Sequence, residues 1–143
     1  KGYFVICPRS GWTGTGQKGA DAFGELRLSG LKFDHVLHTG HSQGGAGIVG
    51  SIRILNILYP DVKNDMLAVY PAWWMTPFFE DRAAKLITRR KIIVCSDKDT
   101  TCPCDDVIKG YELLSEPKEF SKFQSTHLFP QSEWVDIMDE FDD

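Results

Sequence analysis

Residues 35–58 read "HVLHTGHSQGGAGIVGSIRILNIL". The opening His35-Val36-Leu37-His38-Thr39 is a short apolar, β-branched run of strand length. From Gly44 onward, Ile48, Ile52, Leu55 and Leu58 recur at helical spacing, with Val49 beside them. Between the two lies Gly40-His41-Ser42-Gln43-Gly44, a serine boxed in by glycines where a strand gives way to a helix. That strand–turn–helix context is what a nucleophile on a sharp turn requires. Small neighbours are needed there, because flanking side chains would collide with the adjoining strand or helix. Gly44, Gly45 and Gly47 also let the start of the helix lie close to the sheet. The helix N-terminus then aims backbone N–H groups at a developing oxyanion, and the Gln43 N–H is the expected donor. A phosphate loop fits less well: the segment lacks a Lys-Ser/Thr ending and is not G-x-G-x-x-G.

Working outward, four more runs have strand character: Tyr3 to Cys7, Met66 to Tyr70, Lys91 to Cys95 and Glu119 to Phe123. Helical segments alternate with them at Ala20 to Leu28, Gly44 to Leu58, Glu80 to Ile87 and Asp105 to Leu114, with a last helix near Ser132 to Phe141. Asp105 and Asp106 sit where a helix start favours negative charge. This alternation predicts an α/β fold, a mostly parallel doubly wound sheet with flanking helices. No linker or repeat divides the chain, so residues 1–143 form one domain. The acidic tail from Asp136 to Asp143 is the solvated face and end of the last helix.

Composition narrows the partners. A net charge of −4 and an acidic isoelectric point argue against nucleic-acid binding. The apolar runs are far too short to span a membrane. The chain opens Lys1-Gly2-Tyr3 without an initiator Met, which reads as a fragment or a processed form. Cys7, Cys95, Cys102 and Cys104 match no disulfide framework, and Cys102-x-Cys104 lacks the paired spacing of a zinc site. Buried small side chains with one disulfide are the expectation.

In sheets of this kind the ligand crevice lies beyond the carboxyl ends of the strands. Ser42 follows one strand end. A serine hydroxyl is a poor nucleophile at neutral pH and needs a base with an orienting acid. "CSDKDTTCP", residues 95–103, follows the next suitable strand and offers Asp97 and Asp99. Asp99 is favoured as the last acid before the proline turns the chain, while Asp97 could cap the turn. "QSTHLFPQ", residues 124–131, follows the last strand and supplies His127. His35 and His38 lie inside a strand, and His41 is expected to point away from the reacting side.

These segments resemble the three active-site segments of the α/β-hydrolase superfamily, and more narrowly its polyester-hydrolase, cutinase-like lipase and dienelactone-hydrolase relatives. The acid loop is similar to small-x-Asp-x-Asp-Thr-x-x-Pro, and "THLFP" to Ser/Thr-His-aromatic/aliphatic-x-Pro, with Asp99 and His127 on the catalytic positions. "GYFVICPRSG", residues 2–11, resembles the family's fourth strand and following loop. "AVYPAWW", residues 68–74, resembles the segment whose tryptophan flanks the substrate, placing Trp73 there with Trp74 as the other register. The resemblance implies a minimal or N-terminally truncated α/β-hydrolase fold. It would lack the family's first strands, their loop with a second oxyanion donor, and any cap domain.

The resulting expectation is a serine esterase, lipase-like, that cleaves carboxylic esters through an acyl-serine intermediate. Ser42 is the nucleophile, His127 the base, Asp99 the orienting acid, Gln43 the oxyanion donor and Trp73 a substrate contact. No cofactor or metal is called for. Partners would be a small or polymeric ester, with an exposed sheet edge where a second copy could pair. The resemblance favours an extracellular setting. A domain of the same fold that binds an apolar ligand or partner without turnover is the alternative.

Overall fold

The computed structural model describes residues 4–9 and 15–141. Four strands, β1 (His35–His41), β2 (Lys63–Val69), β3 (Arg90–Ser96) and β4 (Glu119–Phe123), form one parallel sheet in the order β1-β2-β3-β4. Between and around them run α1 (Thr15–Leu28), α2 (Gln43–Leu58), α3 (Phe79–Ala84), α4 (Cys104–Leu113) and α5 (Gln131–Asp139). The register pairs His41 with Val69, Val69 with Val94 and Ser96 with Phe123, so the carboxyl ends of all four strands lie together.

The inner strands show why this sequence makes this sheet. Asn64 to Val69 of β2 and Lys91 to Ser96 of β3 are buried at every position, on both faces. A strand covered on both sides must be nearly continuous in apolar residues, and Met66-Leu67-Ala68-Val69 and Ile92-Ile93-Val94-Cys95 are. Helices therefore cover the sheet on both sides. Along the chain α1 packs on α2, α2 on α3, and α3 on α4. α2 fills its inner face with Ile48, Val49, Ile52 and Leu55, the helical repeat seen in the sequence. α1 lies so close to α2 that a Cβ on Gly16 would sit 2.6 Å from the Gly47 carbonyl.

The first expected strand is absent. Phe4 to Arg9 carries no strand, and Phe4, Val5 and Ile6 are exposed (Tyr3 lies outside the described residues). Apolar, β-branched composition favours a strand only where a ladder partner exists. Among the described residues the outer edge of β1 has none. The expected β2 run also ends a residue early: Tyr70 leaves the sheet at φ 47°, the left-handed region.

Candidate active site

The link between β1 and α2 is one residue long. Ser42 sits there at φ 54° and ψ −118°, a conformation L-residues avoid. The surrounding structure holds it. The Ser42 N–H donates to the Val69 carbonyl at 2.9 Å, and the Ser42 carbonyl accepts from Ala72 at 3.0 Å and Ala46 at 3.1 Å. The glycines divide unequally. A Cβ on Gly40 would lie 2.4 Å from the Gly44 carbonyl carbon and oxygen, and one on Gly45 would lie 3.0 Å from the Gly40 oxygen. At Gly44 a Cβ would meet nothing within 4 Å. The tight crossing of strand and helix thus rests on Gly40 and Gly45, while Gly44 faces open space.

The other two segments converge on this turn. His127 places Nε2 2.9 Å from Ser42 Oγ and Nδ1 2.7 Å from Asp99 Oδ2. Asp99 is buried after β3, and its Oδ1 accepts from the backbone N–H groups of Thr101 at 2.8 Å and Cys102 at 2.9 Å. That leaves the second carboxylate oxygen for the imidazole, so Nδ1 donates and Nε2 is free to accept from the serine. Asp97 points elsewhere: it is exposed, paired with Lys122 at 2.7 Å and Gln124 at 2.9 Å, and the Lys122 hydrogen bond holds its carboxyl below the usual range. Gln43 is the first residue of α2, so its N–H belongs to the helix N-terminus beside Ser42.

No protein-family model and no curated protein matches the chain in sequence. Solved structures do match. A Lactobacillus plantarum protein described as a cell surface hydrolase superposes with a TM-score of 0.72 at 15% identity, covering 93% of this chain and 64% of its own. A Thermoplasma acidophilum protein described as a CIB-like hydrolase gives 0.66 at 21% identity, covering 88% and 58%. Acetyl xylan esterase 1 from a Thermoanaerobacterium strain gives 0.66 at 16%, covering 88% and 50%. The chain has the α/β-hydrolase fold. It spans between half and two-thirds of the length of these α/β-hydrolase structures.

Within this α/β-hydrolase framework, several residues around the site were not singled out by sequence. His41 is a correction. Its ring does not point away but lies 4.6 Å from the His127 ring, centre to centre, and its Nε2–H donates to the His127 carbonyl at 2.5 Å. The sharp turn begins only at Ser42, so His41 still follows the strand and meets the histidine loop. Burial lowers its pKa, in keeping with a neutral donor. Tyr70 bonds through its hydroxyl to Ser125 Oγ, and Ser96 Oγ donates to the Ser125 carbonyl. Tyr70 and Phe129 pack edge to face at 5.5 Å. Three side chains, His41, Tyr70 and Ser96, therefore grip the 124–130 segment.

Trp73, the expected substrate contact, is only 5% exposed: it packs on Phe79 at 4.7 Å and donates its indole N–H to the Val107 carbonyl at 3.1 Å. α4 comes near enough for this because Gly110 lacks a side chain: a Cβ there would lie 2.2 Å from the indole. The exposed indole is Trp74. An open groove of about 850 Å³ lies over Trp73, Trp74, Phe78 and Leu113, and a second of about 480 Å³ runs past Gln43, Met75 and Arg82; Thr76 borders both. The cysteines follow expectation in part. Cys95 and Cys104 form a disulfide that joins the end of β3 to the start of α4, Cys7 is free and exposed, and Cys102 is free and buried. Burial pushes the Cys102 thiol up to a pKa of about 11, with Ser42 offsetting part of the rise.

Proposed function

We propose that this chain is a serine hydrolase of carboxylic esters that works through an acyl-Ser42 intermediate. One observation carries the reading: the unbroken relay Ser42 Oγ, His127 Nε2, His127 Nδ1, Asp99 Oδ2, with gaps of 2.9 and 2.7 Å, set on a turn held at positive φ. Ser42 attacks the ester carbonyl while His127 takes its proton and then delivers it to the departing alcohol. Asp99 keeps the imidazole in the required tautomer and balances its charge once protonated. The oxyanion forms at the N-terminus of α2, where the Gln43 N–H donates to it. Water, deprotonated by His127, then releases the acid and restores Ser42. The apolar part of a small or polymeric ester is accommodated by the groove that passes Gln43 and Met75 or by its neighbour at Trp74; Thr76, on the border of both, is where they meet.

The test is covalent labelling with a fluorophosphonate probe together with turnover of a short-chain nitrophenyl ester. The expected result is one label per chain on Ser42, lost with turnover in Ser42→Ala. Folded wild-type protein that neither labels nor turns over the ester would overturn the reading.

A further inference from the structure

Cys102 is the side chain at this site that the ester mechanism does not use. It is fully buried, and its amide donates to Asp99. Asp99, Cys102 and His127 each present a ligand atom within 4.8 Å of the other two. A thiol, an imidazole and a carboxylate gathered together form the mixed S, N, O donor set that thiophilic divalent cations take. With Cys95 and Cys104 joined to each other, the free thiols among the described residues are Cys102 and the exposed Cys7.

We propose that Asp99, Cys102 and His127 capture a thiophilic divalent cation, with Zn²⁺ as the reference ion, and that capture reversibly blocks the reaction centre. Tetrahedral zinc with bonds of about 2.0 to 2.3 Å sets its ligand atoms about 3.3 to 3.6 Å apart. The Asp99–His127 pair, now at 2.7 Å, opens by less than about an ångström to reach that spacing, and the thiol already lies within 4.8 Å of both. The ion enters across the imidazole, whose side chain is 25% exposed while that of Asp99 is fully buried. Coordination releases the thiol proton to solvent and changes no oxidation state. A water or the Ser42 hydroxyl completes the fourth position. Bound through Nδ1, the ion takes the place of the proton that Asp99 orients; that proton shifts to Nε2, which then has no lone pair to accept the serine proton. The blocking consequence rests on the ester-hydrolase reading above, whereas the capture itself does not.

The experiment uses Cys7→Ser protein, so that no exposed thiol competes. Co²⁺ alone is the spectroscopic probe, and Zn²⁺ alone is the inhibitor in ester turnover. One equivalent of cobalt should give a thiolate-to-cobalt charge-transfer band and tetrahedral visible absorption. Both should vanish in Cys102→Ser and Cys102→Ala and persist in Ser42→Ala. Zn²⁺ should inhibit turnover, a chelator should restore it, and loss of the thiol should raise the half-inhibiting concentration at least tenfold. A Cys7→Ser protein that folds but shows no thiolate–cobalt band overturns the proposal, as does Zn²⁺ inhibition unchanged in both Cys102 variants. A protein with the cobalt band but no ester turnover or probe labelling upholds the capture and sinks the hydrolase reading instead. Thermal melts of the two Cys102 variants identify a folding defect, and retention of the band in Ser42→Ala is then the deciding arm.

Discussion

Asp97 and Asp99 stand two positions apart on one loop, and their surroundings give them different work. Asp99 is buried with two backbone N–H donors on one oxygen and His127 on the other. Asp97 is exposed and tied to Lys122 and Gln124. Asp99→Asn keeps the shape but, with its oxygen held by the two backbone N–H groups, turns an N–H donor toward the imidazole and favours the wrong tautomer, so ester turnover should fall by about 10⁴-fold, as loss of the acid does in comparable relays. Asp97→Asn removes a surface pair and should leave kcat/KM within about threefold. Parallel kinetics on the two variants check the assignment, and equal losses would contradict it. That Asp99 rather than Asp97 meets the histidine loop was legible in the sequence, because a proline four residues later turns the chain into α4 and fixes where the loop ends. The direction of the His41 side chain was not. A glycine-flanked pattern names the residue beside the serine but does not say which way a ring turns, and only the packed His127 loop supplies that.

Among the elements, the junction of β1 and α2 is the most constrained. Gly40→Ala would push a methyl group into the backbone of Gly44 and Gly45, with contacts of 2.4 and 2.7 Å. It should destabilise the fold by at least about 2 kcal/mol. Gly44→Ala puts its methyl in open space at the second residue of a helix, where alanine is favoured over glycine, so stability should hold or rise by up to about 1 kcal/mol. Urea midpoints of the two variants test the contrast, and equal destabilisation would show that the turn is not built this way. The sequence located this junction well because period and composition change within a few residues. It misplaced the run from Tyr3 to Cys7 for the opposite reason. Strand composition is a local property, but strand formation needs a neighbour, and no residue pattern within the run reports whether one is there.

Across the whole molecule, polar groups are buried in the edge strand β1 as well as in the inner strands β2 and β3. His38 is buried in β1, its Nε2–H donating to Asn64 Oδ1 at 2.9 Å, and burial pushes its pKa down to about 4. The sign follows from proton uptake. The unfolded chain binds a proton on His38 near its ordinary pKa of 6.5 and the folded chain only near 4, so this stability is complete above pH 6.5 and is lost as pH falls toward 4. A shift of that size corresponds to about 3 kcal/mol. Urea melts between pH 7.5 and 4.5 should show the decline, and His38→Gln should flatten it; an unchanged slope in the variant would assign the loss to other groups.

β1 and β4 are the two edges of the sheet, so three strand spacings, about 14 Å, separate their backbones. Ser42 begins at one edge and His127 follows the other, yet their side chains meet at 2.9 Å. Val69 and Ala72 fasten the serine to the inner strand, while the short 124–126 segment carries the histidine back over the strand ends. The contact therefore works as a caliper closed across the full width of the four-stranded sheet. Any change in the twist or spacing of the strands between its jaws is read directly as a change in the gap the proton must cross.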